Sequence, residues 1–479
     1  MNFLWYDLET FGRDPRLDRI AQFGAIRTDE NLEPLEEPTV LYCAIPRDYL
    51  PDPQAVLKTG ITPQETRRKG VREIDFAREL NRMFREPGTC GVGFNSVSFD
   101  DEFLRSLFYR NFIDPYEREY RNGNSRWDIL SLARMARDLR PAGLRWPDKP
   151  NGKPDMRLEA LTAANGISHE DAHDALSDVR ATMELARLIR EAQPKLFDFF
   201  LRLRDKREAR LLVDLAGQTP IVHTDVRYTR PEGVTTLVAP LAMDLENNQA
   251  VLVYDLRFDP TPFLTRGAEE LRRNAFTPRS EQPDEEQLPV TRLALNRVPS
   301  IAPRSTMDQE SSERLGINLE EAERHREILR RNPEFARRVQ SAFAPVATAQ
   351  QRDPEEELYA GFLPDADRNL FPEIHRLPPR ELIDWEPPFR DPRLPVLLHR
   401  VKMRNFEEHL TPEERRRWYE EAARRLLLPP SQKLMDLERY ELRVSRLMEE
   451  PGESEEEKKI ARELWNYSQA VRATLPVGG

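Results

Sequence analysis

The 479-residue sequence contains two cysteines, Cys43 and Cys90, and seven histidines. Neither cysteine has a partner at metal-ligand spacing, and the histidines do not cluster with them. This argues against a zinc module and points to two buried thiols in a reducing cytoplasm. No apolar run approaches the ~20 residues that a membrane helix needs. No basic stretch precedes an apolar one near the start, so no secretory signal is expected. Positive charge is also in deficit: 73 Lys+Arg face 84 Asp+Glu, a net charge of −11. A net value of that sign argues against a nucleic-acid partner, but it does not exclude a local basic groove.

What is present is a charge-rich globular chain, 33% charged and 39% hydrophobic, long enough for two to four domains. Residues 1–193 alternate strand-like and helix-like stretches. Residues 2–8, QFGAIRT and PTVLYCAI read as strands. VREIDFARELNRMFRE reads as an amphipathic helix with Ile74, Leu80 and Phe84 near one side. TCGVGFN is a short strand, a helix starts at Asp100, and the last helix starts near Asp174 as its N-cap. This is a mixed α/β pattern. Residues 194–345 are basic at first and then β-rich, with LLVDL, IVHTDVRY, TTLVAPLAM and QAVLVYDL as strand-like runs and a helical end. RSEQPDEEQLP is an acidic surface loop. Residues 346–357 read as a linker, and 358–479 as charged helices. No internal repeat or low-complexity tract is present.

Two carboxylates, Asp7 and Glu9, sit two apart inside the apolar run FLWYDLETFG. On a strand they point to one face, where unpaired buried charge is costly. A second acidic group, FDDEF at 99–103, follows the glycine-rich strand. AHDALSD then places His173 five residues before Asp178. Each piece alone has an ordinary reading: a surface strand end, favourable charge at a helix start, a structural histidine. Together, Asp-x-Glu on the first strand, Asp at a strand-to-helix turn, then His and Asp around the last helix resemble the DEDD exonucleases, in the subgroup whose last motif carries histidine. The family pattern puts the metal-site aspartate directly after phenylalanine, which selects Asp100 and leaves Asp101 and Glu102 as helix-start charges. Carboxylates suit Mg²⁺. Two such ions generate a hydroxide and stabilise a leaving oxygen in phosphodiester hydrolysis. His173 is the candidate general base.

Further stretches, DLETFG, AQFGAIRTD, YLPDP, TGITPQE, FYRNFIDPY, NSRWD, MRLEALTAANGI, AHDALSDV and LYAGFLPDADR, resemble the bacterial exonuclease I family. That resemblance implies an α/β ribonuclease H-like nuclease domain (1–193), a small Src-homology-3-like barrel within 194–345, and an all-α C-terminal domain (358–479). It implies degradation of single-stranded DNA from the 3′ end to 5′-mononucleotides, with two Mg²⁺ ions (Mn²⁺ as substitute) on Asp7, Glu9, Asp100 and Asp178. It implies a monomeric cytoplasmic enzyme of DNA repair and recombination. By the same resemblance Glu9, Arg157, Arg105, Tyr116, Tyr120, Arg134 and Lys206 contact the DNA, with cations on phosphates and aromatics on bases. At Tyr120 the family pattern admits another aromatic. Arg140 and Phe199 match contacts to the acidic C-terminal tail of the single-stranded DNA-binding protein, although the pattern prefers tyrosine at Phe199. Two other readings stay open on the residues alone: an exoribonuclease of the same fold, and a non-catalytic module that binds single strands.

Overall fold

The computed structural model describes residues 1–169, 173–278, 280–281, 286–345, 352–449 and 454–475. Residues 346–351 of the expected linker lie outside this set, as do 279 and 282–285 of the acidic loop. Contacts divide the chain into two units: Met1–Ser125 with Glu170–Arg180 and Gln350–Gly479, and Arg126–His169 with Ala181–Ala349.

In the first unit, strands β1 (Asn2–Thr10), β2 (Ile20–Thr28), β3 (Thr39–Tyr42) and β4 (Thr89–Gly93) lie in the order β3-β2-β1-β4. β1 runs antiparallel to β2 and parallel to β4. Alternation along β1 sends Leu4, Tyr6 and Leu8 to one face. There they pack with Phe76, Leu80 and Phe84 of the Glu73–Arg85 helix and with Phe103 and Leu107 of the Asp100–Arg110 helix. Ile74 does not join this face. Six positions on from Ile74, Leu80 points about 120° away around the helix. Ile74 is instead buried with Tyr109, Phe112 and residues of the Arg393–Asn405 helix, including Leu394 and Leu397.

Composition separates residues 358–479 from the nuclease segment, but packing does not. The Leu437–Glu449 and Glu455–Thr474 helices bury Tyr440, Val444, Leu464 and Tyr467 in one cluster with Phe11, Tyr49 and Val56. Two helices of this unit start on side-chain caps. Thr411 with Glu414 and Ser454 with Glu457 each form a reciprocal capping box. Among the described residues no helix is long and apolar enough to cross a membrane.

The second unit holds an antiparallel five-stranded sheet in the order Ile301–Pro303, Ile221–Thr224, Thr235–Met243, Ala250–Asp255, Val290–Ala294. Three of the four expected strand-like runs fall on these strands. LLVDL does not: Leu211 ends the Lys206–Leu211 helix and the following residues form a turn. Its apolar residues are not lined up for a core, and Leu211 is 80% exposed.

Residues 352–357, expected as linker, are instead built into the first unit. Pro354–Glu356 forms a 3₁₀ turn capped by Asp353. Glu355 is buried, 2.6 Å from Arg19 and also paired with Arg404. Arg404 meets Asp48 at 2.6 Å, and Arg400 meets Asp353 at 2.6 Å. Burial by itself would raise Asp48, but Arg404 and Arg425 outweigh it and hold it at about 2. The same balance keeps Glu355 well below its usual range. Lowered carboxylates stabilise the fold above their unfolded pKa and cease to do so as pH falls through the folded one. The cluster should therefore weaken as pH drops from about 4 towards 2. Glu355→Ala would leave Arg19 and Arg404 buried without this anion. We expect a loss of about 3–5 kcal/mol, read as a lower midpoint in urea denaturation at neutral pH.

Candidate active site

Asp7 and Glu9 lie on the face of β1 opposite the aromatic core. The β1–β2 register sets Gly24 across from Asp7 and Gln22 across from Glu9, so these two β2 residues share the acidic face. Gly24 leaves room there. A Cβ at this position would fall 2.6 Å from the backbone C of Ala175 and the N of Leu176. Gln22 holds the same segment: its Oε1 accepts from the Ala175 N–H at 3.1 Å, and its Nε2 donates to Asp174 at 3.2 Å and to the Tyr42 hydroxyl at 2.9 Å. The start of the Ala175–Ala192 helix is thereby pressed onto the sheet beside the two carboxylates.

Asp174 caps that helix, accepting from the Ser177 N–H at 3.2 Å, as its position in the sequence predicts. His173 precedes the cap with φ +72°, a left-handed conformation that is uncommon for histidine. Asp178 lies in the first turn. A ligand atom of each of Glu9, His173 and Asp178 lies within 4.8 Å of the others.

The FDDE turn resolves into two roles. Asp100 is buried and accepts from the Leu8 N–H at 3.1 Å, on the backbone between Asp7 and Glu9. Asp101 is fully buried and accepts from the Tyr6 hydroxyl and from Arg118, both at 2.6 Å. Asp101 is thus consumed in bracing the helix start, while Asp100 adjoins the acidic strand.

Burial raises Asp7 well above the carboxylate range, and the Asp178 charge adds to it. Burial likewise raises Asp100, with Asp7 the next cause. Glu9 is pushed up to about 10 by burial and then by Asp7 and Asp178. So many carboxylates with raised pKa fit a site for hard cations, which favour oxygen donors and neutralise such repulsion. The donor set Asp7, Glu9, Asp100 and Asp178 therefore suits a hard divalent cation, with His173 adjacent to Glu9 and Asp178.

The remaining expected residues divide by setting. Arg105 is buried and engaged by Glu119 at 2.7 Å and Glu102 at 2.9 Å, with its guanidinium 5.2 Å from the Tyr116 ring centroid. In this setting Arg105 braces the FDDE helix. Tyr116 is half-buried against the cluster around Phe112, whereas Tyr120 is 66% exposed. In the second unit, Arg157 precedes the Leu158–Asn165 helix with its side chain 70% exposed, bonded to Asp155. Arg134 is half-buried and Lys206 exposed. Arg140 donates to the Thr306 carbonyl at 2.9 Å and lies 3.4 Å from Asp308. Phe199 is half-buried beneath Arg202. Gln22 and Gly24 escape motif reading because only strand register reveals them.

Raised carboxylates favour folding while protonated and lose that contribution as pH rises through the folded pKa. For Glu9 the decline runs from about 4.5 to about 10. Asp7→Asn should therefore stabilise the metal-free protein by roughly 1–2 kcal/mol. Thermal melting in EDTA at pH 8 checks this; an unchanged or lower midpoint would contradict it.

Comparison with known proteins covers nearly the whole chain. Residues 4–186 match the family model described as Exonuclease, 204–345 the Exonuclease I SH3-like domain, and 352–471 the Exonuclease I C-terminal domain. The exodeoxyribonuclease I of Escherichia coli (strain K12) is 40% identical over 470 residues, which cover 98% of each chain. The structure of E. coli exonuclease I in complex with a dA16 oligonucleotide superposes with a TM-score of 0.93 at 39% identity, covering 98% of this chain and 99% of that one. A zinc-bound E. coli exonuclease I–single-stranded DNA complex (TM-score 0.92, 39% identity) covers the same shares. So does an SSB/exonuclease I structure with an inhibitor (TM-score 0.90, 38% identity). The architecture is therefore an exonuclease domain, an SH3-like domain and a helical C-terminal domain, and the chain belongs to the exonuclease I family of exodeoxyribonucleases.

Proposed function

We propose that the protein degrades single-stranded DNA from its 3′ end to 5′-mononucleotides with two Mg²⁺ ions, Mn²⁺ able to substitute. The observation that carries this reading is the convergence of Glu9, His173 and Asp178 beside Asp7 and Asp100. Asp7, Glu9, Asp100 and Asp178 would hold the ions, which supply charge stabilisation and a more acidic water. His173 takes the proton of the water that attacks the terminal phosphodiester. The bond to the 3′ oxygen of the preceding nucleotide breaks, and the 5′-mononucleotide leaves. Glu9 also faces the terminal nucleotide. The exposed Arg157 side chain, Arg134 and Lys206 meet phosphates, and Tyr120 with Tyr116 offers faces to bases.

The reading extends to a monomeric cytoplasmic enzyme of DNA repair and recombination. Its partner is the single-stranded DNA-binding protein, whose acidic tail meets Arg140 and Phe199. An SSB-containing structure of a relative supports that partner.

A 3′- or 5′-labelled DNA oligonucleotide, digested with Mg²⁺ or EDTA beside a matched RNA, tests polarity, metal need and substrate together. We expect 3′→5′ release of mononucleotides from DNA, abolished by EDTA. Preference for RNA would refute the substrate. His173→Ala should lower kcat by roughly 10²–10⁴-fold with the Mg²⁺ half-saturation little changed; an unaltered rate would make His173 structural. Gly24→Val should displace the Ala175 helix start. A shift of ~1 Å at such a site costs about a hundredfold in rate, measured at unchanged circular dichroism.

A further inference from the structure

The Gln22 amide meets the start of the Ala175–Ala192 helix through two contacts, its Oε1 with the Ala175 N–H and its Nε2 with Asp174. A glutamine reaches out on three torsions, the last of them broad and weakly restricted. Contacts made only with the segment it holds would let that segment move with it. Nε2 carries two hydrogens, however, and it has a second acceptor: the Tyr42 hydroxyl at 2.9 Å.

Tyr42 is itself held by the sheet. It is the last residue of β3 and lies across from Gln22, which in turn lies across from Glu9. Opposite residues of antiparallel pairs share a face, so Tyr42, Gln22 and Glu9 form one row over three strands. The Tyr42 carbonyl accepts from the Val71 N–H at 3.0 Å. Its ring packs against the cluster that holds Phe11 and Tyr49, with the Lys69 ammonium 4.9 Å from the ring centroid. The hydroxyl is thus a fixed point on the sheet from which the amide is aimed.

His173 immediately precedes Asp174, at φ +72°. Such a backbone persists only where its surroundings hold it. On the C-terminal side that hold is the Gln22-bound pair Asp174 and Ala175. Asp178 sits one turn further in, tied to the helix by its N–H on the Asp174 carbonyl at 3.0 Å. We propose that Tyr42 is a positioning residue for His173: its hydroxyl fixes the Gln22 amide, and the amide fixes the backbone that aims the imidazole at the attacking water. The inference rests on the general-base reading of His173 given above. Tyr42 leaves the proton transfer to His173 and the metal to the carboxylates.

The test follows hydrolysis of oligothymidylate by the full-length chain. Tyr42→Phe removes one hydroxyl and should lower kcat by roughly 3–10-fold, the range of one hydrogen bond, with KM and the Mg²⁺ half-saturation unchanged. Groups that act through one another are non-additive. Tyr42→Phe should therefore cost nothing further in a Gln22→Met background or in a His173→Ala background. Wild-type kcat in Tyr42→Phe would overturn the inference. So would the same loss in either background, because Tyr42 would then act by another route. A Mg²⁺ half-saturation that rises along with the loss would also overturn it, placing the effect at the metal ligands. His173→Ala separates the two levels. If it keeps the wild-type rate, the reading of His173 fails and this inference with it; if it is slow while Tyr42→Phe is normal, this inference fails alone.

Discussion

The pairing of β1 with β2 is the constraint on which the site depends. Opposite residues of an antiparallel pair share a face, so Gly24 and Gln22 stand beside Asp7 and Glu9. The missing side chain at Gly24 lets the Ala175 backbone close onto the sheet, and the Gln22 amide fixes that contact with hydrogen bonds at both of its ends. A one-residue slip would turn every β1 side chain to the other face. Leu4, Tyr6 and Leu8 resist it, because each is anchored in the aromatic core. The core thus sets the register, and the register delivers the acidic pair to the helix start, where His173 precedes the cap and Asp178 lies in the first turn.

A second kind of constraint holds the nuclease strands and the C-terminal helices in one unit. Apolar burial around Phe11, Tyr49, Tyr440 and Tyr467 supplies the driving force. The buried set of Arg19, Asp48, Asp353, Glu355, Arg400 and Arg404 supplies direction. Such pairs add little net stability over apolar packing, yet losing one partner is costly. Phe11, which directly follows β1, belongs to this frame, so the frame also steadies the ground on which the site stands.

Much of the site was legible because its motifs are local. Asp7-x-Glu9, the turn at Asp100, and His173 with Asp178 are each written within a few residues, and their chemistry restricts the residue types. The choice of Asp100 over Asp101 rested on family pattern alone, and hydrogen bonding gives it a physical reason: Tyr6 and Arg118 occupy Asp101. Arg105 shows the complementary limit of motif reading. An arginine near an acidic turn looks the same in sequence whether Glu119 or a phosphate is its partner. Residues 352–357 read as linker because charged, proline-bearing stretches are usually solvated, and nothing nearby announces the distant arginines that bury them.

Most element types, the acidic and histidine motifs, the Asp174 cap and the family follow from the amino-acid sequence alone. These depend on periodicity and on residues close along the chain. Tertiary structure alone decided the roles of Gly24 and Gln22, the division between Asp100 and Asp101, and the merging of the last helices with the nuclease strands. Each depends on groups far apart in the chain, brought together by register and packing, and single-residue chemistry carries no record of who the neighbour will be.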